Sequence, residues 1–314
     1  MFDFKNVYIN DYFTVVGPLE KEYDLKRCNI YLEDYYYGEK TIEKAEIKMQ
    51  KTVLNNLLST KTELIVGGDL TNQLTAGALG VVGRNIPHLG VYSACATSAS
   101  ALICLANFIT NKSIKEGVFI TSSHNLAAEK QFRFPVEYGA PKLIRSTFTA
   151  TAAVGIKLSN KESNIKIING TLGTVVDSYI KDVNNMGAVM APSAVDTFIK
   201  HLNKTKTTIK DYDLILTGDL GKVGIEIFRE LLLKEHNIKV TKHLDAGATL
   251  YKDFEYSGAS GPSALPLTLV TKIIHNKSYK KILYLATGSL HSPSLVNQKH
   301  TLPAVTHAIS LEVQ

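Results

Sequence analysis

Leu89-Gly-Val-Tyr-Ser-Ala-Cys-Ala-Thr-Ser-Ala-Ser-Ala-Leu-Ile-Cys-Leu-Ala-Asn-Phe108 is the stretch on which the fold turns. A short apolar run, Leu89 to Tyr92, meets Cys95 through two small residues, and a long apolar segment rich in small side chains follows. The pattern predicts a strand, a tight turn carrying Cys95, and a buried helix from about Ala96 to Ile109. A thiol at a helix N-terminus faces backbone N–H groups and the positive end of the dipole, which favour an anion and can lower a thiol pKa. The competing reading is a small buried residue with no chemistry, the commonest fate of a free cysteine.

Working outward, the same order of elements occurs twice. Glu63-Leu-Ile-Val-Gly-Gly-Asp-Leu70 reads as a buried strand ending in a turn, and Asp213-Leu-Ile-Leu-Thr-Gly-Asp-Leu220 repeats it. The Cys95 turn and helix correspond to the turn Ser257–Gly261 and a helix running to about His275, with Pro262 in its first turn. Strand 117–123 corresponds to strand 281–287, and Val154–Leu158 to Val305–Leu311. Four elements in one order imply an internal duplication of α/β halves, 1–160 carrying Cys95 and 161–314. Around them we expect a helix over Thr41–Leu58 capped by Thr41, and helices over Ala194–Leu202 and Val223–His236. Short strands are expected at Val7–Ile9, Phe13–Val16, Ile165–Ile168 and Thr174–Val176, and a β-type run from Phe148 to Leu158.

Composition bounds the function. The 314 residues carry 35 Lys and Arg against 29 Asp and Glu, a formal charge of +6. The cations are scattered, so no nucleic-acid stripe is expected, while the excess can attract small anions or an anionic membrane surface. Three cysteines, Cys28, Cys95 and Cys104, lack metal-type spacing and fit a reducing compartment. No signal peptide or membrane span is expected, so any membrane role is peripheral.

Thr121-Ser-Ser-His-Asn125, Ala128-Glu-Lys-Gln-Phe-Arg-Phe-Pro-Val-Glu-Tyr-Gly139 and Asn185-Met-Gly-Ala-Val-Met-Ala-Pro192 carry a resemblance. So do Gly68-Asp-Leu-Thr-Asn-Gln73, Tyr212–Leu220 and Ala286-Thr-Gly-Ser-Leu-His-Ser-Pro293. On these segments the chain resembles the stage V sporulation protein AD family of the thiolase-like superfamily over nearly its whole length. The resemblance implies a layered α-β-α-β-α thiolase-like fold. It also implies a protein that binds dipicolinic acid and helps move it, as its calcium chelate, into the forespore. Membrane-embedded partners of the same transport system, a peripheral place at the inner spore membrane and a homodimer come with it; no cofactor is expected beyond calcium accompanying the ligand.

Condensing enzymes of this superfamily need a nucleophilic Cys, basic residues from the second half and donors for an oxyanion. Ketoacyl synthases of the initiating type carry a His after the strand corresponding to 213–219 and an Asn at the turn corresponding to 257–261. Here Thr217-Gly-Asp-Leu-Gly-Lys222 and Ser257-Gly-Ala-Ser-Gly261 hold neither, and the thiolase Gly-His-Pro survives only as the proline of Gly261-Pro-Ser263. The turn also departs from the Cys-rich one usual in the sporulation family. We therefore expect no enzyme, with Cys95 in a degenerate nucleophile position; a Cys95-dependent acyl-transferring enzyme, with His124 or His291 as base, is the alternative.

A planar dicarboxylate needs cations or N–H donors at two ends of a pocket. The expected ligand set is Cys95 with its helix end, His124, Asn125, Arg133, Lys142, Arg145, Asp219 and Ser260. Asp69 and Asp219, at equivalent turns, suit turn-holding as well as binding; with Glu137 they are oxygen donors suited to calcium.

Overall fold

A computed structural model describes residues 1–23, 25–132, 141–251 and 253–314. The first half runs β1 (Phe2–Asp3), β2 (Tyr8–Val16), α1 (Pro18–Glu22), β3 (Ile30–Tyr31), α2 (Ile42–Leu57), β4 (Leu64–Asp69), α3 (Thr75–Val81), β5 (His88–Gly90), α4 (Thr97–Thr110), β6 (Glu116–Ser123), α5 (Asn125–Phe132), β7 (Thr147–Thr149) and β8 (Ala152–Ser159). The second runs β9 (Ile165–Leu172), α6 (Met186–Thr205), β10 (Leu214–Thr217), α7 (Gly221–His236), β11 (His243–Asp245), α8 (Ala246–Leu250), β12 (Gly258–Ser260), α9 (Ala264–Thr268), β13 (Lys281–Ser289), α10 (Pro293–Asn297) and β14 (Ala304–Val313).

The repeat expected from sequence appears as strand order. The first half reads β5-β4-β6-β8-β2 and the second β11-β10-β13-β14-β9. In each, the first three strands are parallel and the last two antiparallel. The halves meet where Tyr8 of β2 pairs with Lys166 of β9.

Strand alternation sets the layers. Ile65, Val118 and Ile120 pack outward with Met49, Val53 and Leu54 of α2, while Val66 and Phe119 point inward. In the second half Ile215, Leu283 and Leu285 pack outward with Phe198 of α6 and Phe228 of α7; Leu216, Ile282, Tyr284 and Ala286 point inward. The inward residues of both sheets close on α4 and α9, which supply Ala99, Leu102, Ile103, Ala106, Leu265 and Leu267 to one shared core. Each fully buried Leu or Phe contributes on the order of 2 kcal/mol. The result is helix, sheet, helix, sheet, helix. Both faces of each sheet are covered, which is why these strands read as continuous apolar runs.

Several expectations change. Val7–Ile9 and Phe13–Val16 join into one strand, β2, through an irregularity between Ile9 and Asp11 that breaks the alternation. The Phe148–Leu158 run divides, because β7 pairs with β12 whereas β8 pairs with β2 and β6. Thr174–Val176 keeps only a bridge between Val176 and Ala304. α6 begins eight positions before Ala194: Asn185 caps it by accepting from Ala188 N (3.3 Å), and Pro192 lies inside it. The buried face of Val189, Met190, Ala194 and Phe198 outweighs the one hydrogen bond that proline removes. Pro262 precedes α9, whose last turns widen into a π-helical stretch, Leu269–Ile273.

Candidate functional site

Cys95 lies in the turn between β5 and α4. Ala94 takes a left-handed conformation (φ +50°), and Thr97 ties the turn: its Oγ1 donates to Ala94 O (2.7 Å) and accepts from Ser93 N (3.0 Å). The second half closes on this turn through Gly288 of β13. A Cβ there would stand 2.4 Å from Ser93 O and 2.8 Å from Ala96 N, so only glycine fits.

Cys95 forms part of a cavity of about 520 Å³. Tyr92, Phe132, Met186 and Met190 supply its apolar wall, and Ser146, Thr147, Thr149, Ser260 and Ser289 its hydroxyls. Lys130, Lys142, Glu129 and His291 add ionisable groups. Lys142 pairs with Glu129 and lies 3.9 Å from the centre of the Phe148 ring, so it is held at the wall. Lys130 pairs with Glu43 in a more exposed position. His291 approaches Ser289 Oγ through Nδ1 (3.0 Å) and packs on Phe132 at 5.3 Å between ring centres; burial lowers its pKa, leaving a neutral ring at pH 7.

The thiol does not take the lowered pKa that a helix N-terminus can give. Burial, with the neighbouring Asp219 carboxyl second, pushes the Cys95 pKa well above its ordinary value, although the residue is partly accessible from the cavity. The helix end offers fewer donors than expected, because Ala96 N and Thr97 N are bonded to Ser93 O (2.9 Å) and Ala94 O (3.2 Å). Asp219, with φ +66° after β10, is 1% exposed; its Oδ2 accepts from Gly261 N at 2.8 Å. Its side chain interacts with that of Cys95, but Oδ1 makes no hydrogen bond within normal geometric limits.

The structure brings Cys95, Lys142 and Ser260 to one cavity, with Asp219 behind the thiol. It does not bring His124, Asn125 or Arg145 there. His124 precedes α5 and turns the other way, with Nε2 2.8 Å from Tyr35 O and its ring against that of Tyr35. Asn125 bonds Thr151 Oγ1 through its backbone N–H (2.9 Å) and Thr149 O through Nδ2 (3.2 Å). Arg145 is spent on Asp182 at the surface (2.9 Å). Arg133 and Glu137 lie outside the described residues. Asp69 holds a turn: it accepts from Thr71 N (2.8 Å) and Gly77 N (2.6 Å). Among the described residues no three His, Cys, Asp or Glu side chains form a metal-holding group.

Sequence reasoning missed Phe132, Met186, Met190 and Ser289 as cavity walls. The signal was present in the segments Ala128–Gly139, Asn185–Pro192 and Ala286–Pro293, which carry the family resemblance away from the thiol.

Comparison with known proteins agrees with this architecture. The sequence model described as stage V sporulation protein AD (SpoVAD) matches residues 2–312. The chain belongs to this family. It is 32% identical to the stage V sporulation protein AD of Bacillus subtilis (strain 168), over 98% of this chain and 94% of that protein. Among solved structures it is similar to the 3-oxoacyl-[acyl-carrier-protein] synthase III of Aquifex aeolicus (TM-score 0.57, 16% identity, 98% and 99% of the two chains). It is also similar to the corresponding synthase of Xanthomonas oryzae (TM-score 0.61, 12% identity, 99% and 100%) and to cerulenin-bound OleA of Xanthomonas campestris (TM-score 0.62, 13% identity, 99% and 98%). At these identities the likeness establishes the thiolase-like fold alone. Among the described residues no helix is long and apolar enough to cross a membrane.

Proposed function

We propose that the cavity at Cys95 binds dipicolinate, free or as its calcium chelate, without covalent chemistry, and that this binding serves uptake of the compound into the developing spore. The observation that supports the reading is the pairing of an aromatic wall with a held cation over a protonated thiol: Phe132 and Tyr92, Lys142, and Cys95 with its raised pKa. The flat ring lies against Phe132, one carboxylate draws Lys142 from Glu129, and the other reaches the hydroxyls of Ser260 and Ser289. Calcium, where present, arrives as cargo chelated by the ligand. The protein works beside membrane-embedded partners at the inner forespore membrane, as a homodimer. Calorimetric titration with dipicolinate, with and without calcium, tests the reading. Saturable heat that Lys142→Ala weakens at least tenfold supports it; heat no greater than that of an unrelated aromatic acid contradicts it.

The strand–turn–helix setting of Cys95, backed by Gly288, favours a second reading, a Cys95-dependent acyl transferase. Incubation with acyl-CoA donors followed by intact-mass measurement would reveal a Cys95 adduct. The first reading expects none.

A further inference from the structure

Hydrogen-bond donors are distributed very unequally between two buried acids behind Cys95. Asp245, at the end of β11, accepts from Thr217 Oγ1 (2.7 Å), Leu220 N (3.1 Å), Gly221 N (3.0 Å) and Ala248 N (3.2 Å). The chain behind it is polarised the same way. Arg229 Nε donates to His243 Nδ1 (3.2 Å), so His243 Nε2 carries the hydrogen and donates to Thr217 Oγ1 (2.9 Å), whose own proton goes to Asp245. Asp219 receives one such donor, Gly261 N, and its Oδ1 is buried without a partner. The charge of Asp245 disfavours a second charge on Asp219, and of two such buried acids the one with more donors is better able to keep its charge. That one is Asp245.

Among the described residues, three titratable groups are tied to Asp219. Cys95 reaches it from the turn before α4, Asp245 acts from β11 and Tyr284 from β13. The Tyr284 hydroxyl is engaged with Ser98 Oγ at 2.7 Å. Cys95 is thus the one of these groups whose side chain engages that of Asp219, and Oδ1 is the oxygen left without a partner.

We propose that Asp219 is a positioning residue that stays a neutral acid, gives its Oδ1–H to the Cys95 sulfur, and so turns the thiol S–H into the cavity as a donor to a carboxylate of the bound anion. The inference rests on the reading of the cavity as a carboxylate site. It gives the thiol a role that needs no thiolate and no base: both protons stay where they are, and no bond is made to sulfur. Burial is the largest influence on both groups and raises the pKa of Asp219 and of Cys95, in keeping with two retained protons. A bound anion favours both protons further. Affinity is therefore full while both groups are protonated and falls as pH rises through the lower of their two pKa values.

Asp219→Asn is the decisive variant, because its amide N–H replaces the acid O–H and cannot ionise. Dipicolinate Kd for Asp219→Asn at pH 7 should lie within about threefold of the parent, with Asp219→Ala at least tenfold weaker. Above the Asp219 pKa the parent Kd should rise by up to about tenfold per pH unit while the Asn variant stays flatter. Loss of binding in a folded Asp219→Asn protein overturns the proposal, since it would mean that the anion is what the site uses.

Two readouts need no ligand. The infrared difference between parent and Asp219→Asn should contain the C=O stretch of a protonated carboxylic acid; its absence overturns the proposal even if dipicolinate binds. A protonated-acid band without dipicolinate heat removes the ligand reading instead. Should Asp219→Asn not fold, alkylation of Cys95 in the parent, read by peptide mass, decides: the rate should still climb above pH 9, whereas a plateau below pH 9 overturns the proposal.

Discussion

The turns after β4 and β10 start from almost the same strand, Leu64-Ile-Val-Gly-Gly-Asp69 and Leu214-Ile-Leu-Thr-Gly-Asp219, and end in opposite states. Asp69 is surrounded by donors from Thr71 and Gly77 and secures the start of α3. Asp219 has one donor and an orphaned oxygen beside a thiol, while Asp245 does the turn-holding for the second half. Each half thus has a donor-rich acid and a donor-poor one. In the first half the donor-poor acid is Glu46, whose Oε1 accepts from Ser122 Oγ (2.7 Å) and whose pKa burial, with the Asp69 charge second, pushes up to about 8. In the first half the acid of the matching turn, Asp69, holds it; in the second half Asp245 does so instead.

The comparison breaks most visibly at Asp69. Asp69→Ala leaves buried N–H groups unsatisfied and should cost about 3 kcal/mol in denaturant unfolding, whereas Asp219→Asn should stay within about 1 kcal/mol. Equal losses would mean that both turns are structural.

Glu46 supplies a pH test of similar size. Its folded pKa lies above its unfolded one, so the folded state holds a proton that the unfolded state releases. Stability from this group is full below about pH 4.5, falls as pH rises, and levels off above about pH 8. Across that window urea unfolding of the parent should lose on the order of 5 kcal/mol more than that of Glu46→Gln. Matching slopes in the two proteins would refute the assignment.

Gly288→Ala probes how tightly the second half holds the Cys95 turn. The added methyl meets Ser93 O and Ala96 N, so the turn must shift, with an expected cost of about 1–3 kcal/mol and weakened dipicolinate binding. Unchanged stability and affinity would show the contact to be slack. At the small end, Arg145→Ala removes an exposed pair with Asp182; it should change stability by less than about 1 kcal/mol and leave dipicolinate affinity unaltered. A large loss of affinity would return Arg145 to the ligand set.

Much of the fold was legible because buried parallel strands and their turns leave strong local marks. Leu64–Asp69, Leu214–Thr217, the Cys95 elbow, α2 and α7 all fall where apolar period and capping place them. The site was less legible. Nothing local tells that His124 turns to the carbonyl of Tyr35, 89 positions away, or that Lys142 reaches the cavity while Arg145, three residues on, pairs with Asp182. The direction of the thiol pKa was not legible for the same reason. The helix end is local to Cys95, but the carboxyl that opposes it comes from the other half of the chain. Pro192 concealed the first two turns of α6, and with them Met186 and Met190 as cavity walls.

On the proposed function, the cavity at Cys95 holds a dicarboxylate by charge and hydrogen bonds, with the thiol intact. A crystal structure of the protein with dipicolinate tests it most directly. We expect the ligand ring against Phe132, one carboxylate at Lys142, the other facing Cys95 and Ser260, and no bond to sulfur. Dipicolinate elsewhere with the cavity empty, or density continuous with the Cys95 sulfur, would contradict it.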